Sequence, residues 1–136
     1  MTGPTDTQRA VLADALRLVR EQEARAEAEG TPLTPDALER PFALGYLFGV
    51  VDALVQTRGA AFDARALAVY ALVLDSALGR DAADVRERAL DLHESGDTTF
   101  ARGHRWGGNE TLGWSQGRHT PVGLVHVARG DDERMR

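Results

Sequence analysis

The residues able to do chemistry fall into three groups. One is a lone acid, Asp52, inside the most apolar run of the chain. The second is a set of four histidines, His93, His104, His119 and His126, all in the last third. The third is the stretch Arg102-Gly-His-Arg-Trp-Gly-Gly-Asn-Glu110. A carboxylate buried without a partner costs several kcal/mol or gives up its charge. Asp52 must therefore be exposed, paired with an arginine or histidine, or functional.

The histidines stand 11, 15 and 7 residues apart. Metal-binding histidines on one helix recur at three or four, so no local metal motif exists and no metal is expected. Only folding could bring His93, Glu94, Asp97 and His104 together. In the third group, the amides of Gly107-Gly108, two arginines and Trp106 could hold an anion or stack on a base. The spacing matches neither Gly-x-Gly-x-x-Gly nor the phosphate loop that ends in Gly-Lys, and the chain has no lysine. The favoured reading is a flap in which Phe100, Trp106 and Trp114 plug one end of a helical core. A candidate ligand site remains, made of Asp52, Asp75, Arg102, His104, Arg105, Trp106, Asn109 and Glu110. No nucleophile elbow is present; the serines are Ser76, Ser95 and Ser115. The absence of cysteine removes disulfides and thiolate metal sites. No cofactor is called for.

These residues must be positioned by helices. The run from Phe42 to Val55 is apolar around most of a helical circumference, which belongs in the middle of a bundle. Its narrow remaining stripe carries Gly45, Gly49, Asp52, Ala53 and Gln56. Gly45-x-x-x-Gly49 lets another backbone approach closely, either within the chain or across a dimer seam. Thr7 to Glu29 reads as an amphipathic helix whose apolar face stops at Val19, leaving a solvated extension that ends at Gly30. Thr34-Pro35-Asp36 starts a short turn of helix, and Pro41 interrupts it before the apolar helix begins. Asp63 caps a helix over 64–78, and a shorter one follows from Asp81 or Asp84 to Gly96.

Five glycines between Gly103 and Gly117 predict an irregular stretch. A short helix over 120–128 follows, with a strand over 122–128 as the alternative. Residues 1–6 and 130–136 are expected as flexible tails. The expected fold is all-α: one domain of 136 residues, a compact bundle of four main helices with the Phe42–Val55 helix central. Its last third is irregular, contains glycine and tryptophan, and ends in a short helix.

All 16 basic residues are arginine, isoleucine is absent and Asn109 is the one asparagine, which together indicate a GC-rich genome. The formal charge of −5 opposes nucleic-acid binding. The polar N-terminus is no signal peptide, and the apolar run is too short to span a bilayer. The expected protein is a cytoplasmic, non-enzymatic helical interaction module, a small acidic adaptor or binding antagonist that self-associates. A small enzyme or ligand-binding protein is the alternative.

Overall fold

A computed structural model describes residues 4–135. They form an all-α bundle of seven α-helices: α1 (Asp6–Ala28), α2 (Pro35–Leu38), α3 (Pro41–Gln56), α4 (Ala64–Leu78), α5 (Ala83–Glu94), α6 (Thr98–Ser115) and α7 (Gly123–Arg129). A 3-10 turn, Asp132–Arg134, follows. Residues 1–3 and 136 lie outside the described part, so the tail expected over 1–6 is seen only from Pro4.

The helix starts follow local chemistry. Thr5 and Gln8 exchange side-chain and backbone hydrogen bonds in a capping box at α1. Thr34 caps α2, and Pro41 occupies the first turn of α3, where a missing N–H costs nothing. The Asp63 side chain accepts from the amides of Arg65 and Ala66 at the start of α4, and these bonds hold its pKa below the ordinary value. Asp97 caps α6 through Phe100 N.

Thirteen of the sixteen residues of α3 are buried, and α1, α4, α5, α6 and α7 all pack against it. Tyr70 of α4 donates its hydroxyl hydrogen to Leu44 O at 2.8 Å.

Three expectations need correction. The glycine-rich segment is not irregular: α6 is one continuous helix of eighteen residues through Gly107-Gly108. Its inward glycines face the glycines of α3. A Cβ on Gly45 would stand 2.0 Å from Phe100 O, and one on Gly49 2.1 Å from His104 O. Reciprocally, a Cβ on Gly103 would stand 2.1 Å from Phe42 O, and one on Gly107 2.1 Å from Tyr46 O. Two Gly-x-x-x-Gly ridges thus lie against each other within one chain, each pointing a Cα–H at a carbonyl of the other helix. The packing offsets a helix-propensity cost of about 1 kcal/mol per glycine.

The second correction concerns α1, which is not merely solvated beyond Val19. Gln22 and Ala26 are buried and continue its inner face. The third concerns the segment after α7, expected as a flexible tail. It turns back on the bundle and buries Asp132 and Met135. Residues 122–128 are helical, not a strand.

Gly103→Ala should cost about 3 kcal/mol or more, because the clash is with backbone and not with a side chain that can swing away. Urea denaturation measures this; a loss under 1 kcal/mol would show that the two helices separate easily.

Candidate functional site

Beyond the glycine crossing, α3 and α6 leave a surface depression of about 300 Å³. Asp52, Ala53 and Gln56 form one wall, and His104, Arg105, Gly108, Asn109 and Leu112 form much of the other. Asp52 is neither free nor deeply buried. Its carboxylate is 21% exposed and lies 2.9 Å from His104 Nε2. Gln56 Nε2 donates to its other oxygen at 2.8 Å. The carboxylate fixes the imidazole in place, the usual way of orienting a histidine. Among the described residues, no serine, threonine or cysteine lines the depression to serve this pair as a nucleophile.

Aromatic rings back the pair. Phe48 meets His104 edge-on at 5.0 Å, and the His93 ring at 4.7 Å. The two imidazoles are 6.0 Å apart. His93 and His104 thus do approach each other. Among the described residues, however, no group of three or more histidine, aspartate or glutamate side chains is placed to hold a metal ion.

A second polar assembly lies inside the bundle. The Glu110 side chain is 2% exposed and accepts from Tyr46 Oη at 2.7 Å, from Gly123 N at 2.8 Å and from Val122 N at 3.0 Å. His119 Nε2 is 2.8 Å from its Oε2. Gln22 Nε2 donates to Tyr46 Oη at 3.1 Å while Gln22 Oε1 accepts from Leu124 N at 2.8 Å. Four helices are joined by this one network. The carboxylate also supplies the start of α7, which has no side-chain cap of its own among the residues that precede it. Burial, and then the Glu110 charge, raise the pKa of Tyr46 well above its ordinary value. Glu110 was legible as a candidate ligand residue; its structural task was not. Gln22 was missed, although it continues the α1 stripe from Ala15, Leu18 and Val19 at helical spacing.

The remaining candidates disperse. Asp75 Oδ1 accepts from Ala82 N at 2.8 Å and shapes the turn into α5, so it does not join Asp52. Arg102 lies over the Phe42 ring at 5.5 Å and lines a different cavity. Arg105 and Asn109 border both the depression and a smaller hollow of about 220 Å³ beside Trp106 and His119. Trp106 and Trp114 are half-buried against the core, as a plug would be, but from a helix and not from a flap. His126 Nδ1 is 2.8 Å from Asp131. Of the small-residue stripe, Gly45 and Gly49 are covered by α6, while Asp52, Ala53 and Gln56 face the depression.

No protein family, curated protein or solved structure matches the chain.

Two predictions follow from the buried tyrosines. Tyr46→Phe should cost about 1–3 kcal/mol, since it strands Gln22 and removes a donor from a buried carboxylate; chemical denaturation checks this. Burial also raises the Tyr70 pKa far above the ordinary value. Below about pH 10 both phenols stay protonated whether the chain is folded or not, and stability is unaffected. Above it only the unfolded chain releases these protons, so stability falls by about 2.7 kcal/mol per pH unit for the pair. Tyr70→Phe should halve that slope in denaturation curves across the alkaline range, and an unchanged slope would refute the assignment.

Proposed function

We propose that this protein is a non-enzymatic helical interaction module, a small acidic adaptor or binding antagonist, that self-associates through the outer edge of α3 and α6. One observation carries the reading. Gly108 sits in the interior of α6, where glycine costs about 1 kcal/mol relative to alanine. Unlike Gly103 and Gly107, it meets no close neighbour: the nearest atom to an added Cβ would be Gly49 O at 3.8 Å. Internal packing therefore gives no reason for it. Beside it Leu112 is 41% exposed, one of two large apolar side chains so exposed among the described residues.

The edge suits a second copy of itself. Arg105 has no carboxylate partner among the described residues, while Asp52 offers a part-exposed charge on the facing wall. Across a two-fold axis each Arg105 would meet the other copy's Asp52, as an isologous interface requires. The backbone at Gly108 would then be approached from outside as closely as Gly49 is from inside.

Gly49 cannot serve as the probe, because a side chain there would unfold the α3–α6 pair. Gly108→Ala and Gly108→Gln can. The first should raise monomer stability by about 0.5–1 kcal/mol, and the second should dissociate the assembly in light scattering while leaving the far-ultraviolet circular dichroism unchanged. A wild type that stays monomeric at millimolar concentration would remove the proposal.

The Asp52–His104 pair supports a second reading, a small-ligand site in the same depression without Asp75. A panel of divalent metals, nucleotides and anions should then contain a compound that raises the melting temperature by several degrees, ligand at ~100 times its dissociation constant being worth about 2.7 kcal/mol. That shift should vanish in Asp52→Asn.

A further inference from the structure

We propose that Arg40 and Arg102 form a cradle for acidic peptide segments, which the chain's own Asp132–Met135 turn occupies as an intramolecular stand-in. The cradle lies at the far end of the α3–α6 pair from the Asp52 depression and is independent of self-association. Arg40 precedes α3; its guanidinium donates to Val127 O at 2.6 Å and stands 3.6 Å from Asp132 Oδ1. Arg102, in the second turn of α6, lies across the Phe42 ring. Asp132 and Glu133 line the same cavity as these two cations, while Asp131 is paired with His126.

The charges match but the fit is incomplete. The Asp132 side chain is 7% exposed, yet its Oδ1 has no hydrogen bond, because 3.6 Å to Arg40 is beyond hydrogen-bond range. Arg102 Nε is likewise buried and unpartnered. A buried polar group left unsatisfied opposes the contact that buries it. In the turn itself only Met135 adds apolar burial to set against this, and its two internal backbone bonds, Arg134 N to Asp131 O and Met135 N to Asp132 O, are single 3-10 links. His126 holds the entry at Asp131, but beyond it the turn is attracted by charge and carries only these two links, which is how a displaceable occupant should look.

Beside it a cavity of about 330 Å³ continues past Glu133, bounded by Pro41, Phe42 and Thr99. A peptide from another protein could use this space while satisfying the arginines better. The stand-in supplies the template for its chemistry: an acid at one position and a large apolar side chain three residues later, as in Asp132 and Met135.

Because the occupant is tethered, it competes at a high effective concentration, and a peptide added to the wild type will bind weakly. The test uses the full chain and a fluorescein-labelled peptide of sequence Gly-Asp-Asp-Glu-Arg-Met, read by fluorescence anisotropy. Asp132→Arg, which Arg40 repels, should bind the peptide at least tenfold more tightly than wild type. Adding Arg102→Gln to that variant, or replacing the peptide's second Asp with Asn, should abolish the gain. Equal affinity in wild type and Asp132→Arg, or binding indifferent to Arg102, overturns the proposal. Hydrogen exchange on the wild type decides the matter should the variant misfold. The Arg134 and Met135 amides should exchange orders of magnitude faster than those of α3, and exchange as slow as α3 overturns it as well.

Discussion

Two helix backbones in direct contact set the geometry of this protein. Where Gly45 and Gly49 lie over the carbonyls of Phe100 and His104, and Gly103 and Gly107 over those of Phe42 and Tyr46, α3 and α6 approach as closely as polypeptide permits. Dispersion and Cα–H···O contacts along such a seam are individually small and collectively large. The approach also decides which side chains can meet. Asp52 is short, yet it reaches His104 across the two helices. Tyr46 reaches Glu110 for the same reason. Helices at the usual spacing, with alanine or larger residues between them, would hold these groups apart.

The seam runs into the Glu110 network, and together they explain how a carboxylate is tolerated inside an otherwise apolar bundle. Glu110 is surrounded by donors: a phenol, two backbone amides and an imidazole. Donors on every side offset much of the cost of taking a carboxylate out of water. The donors come from separate segments of the chain. Tyr46 belongs to α3, His119 to the connection after α6, and Val122 and Gly123 to the start of α7. Gln22 ties α1 to the same point through Tyr46 and Leu124. The network specifies where α7 docks, which apolar packing of Leu124, Val125 and Val127 would leave less sharply defined.

Much of this was legible in the residues. The apolar circumference of Phe42–Val55 placed a buried helix there, and the caps at Thr34 and Asp63 marked helix starts because a side-chain oxygen beside a free amide has few other uses. What failed was reading glycine by propensity. Gly103 and Gly107 counted against a helix, although their spacing of four repeats that of Gly45 and Gly49, for which a close helix partner had already been inferred. The two halves of one seam were read by different rules. Gln22 was lost among the charged residues after Val19 because an amide does not score as apolar, even at a core position. The pairing of Asp52 with a histidine was among the stated alternatives. Which histidine was beyond reach, since fifty-two residues separate Asp52 from His104 and no local period connects them. Asp75 misled for the opposite reason: an acid near a helix end has a local use, shaping the next turn, and that use prevails.

The glycines of α6 therefore divide by what surrounds them. Gly103 and Gly107 have a carbonyl where a methyl group would go; Gly108, the residue after Gly107, has room for one in ordinary contact with Gly49 O. A helix already carrying two unavoidable glycines gains by replacing a third with alanine, unless something outside the chain needs that backbone bare. The same reasoning applies at the other end of the seam, where Asp132 Oδ1 and Arg102 Nε are each buried without a hydrogen bond. A core is expected to eliminate both kinds of misfit. They occur here beside the close α3–α6 contact, where the backbone is held rigidly. Rigid backbone beside imperfectly used side chains is what a surface kept for a partner would show, and folding alone would not leave.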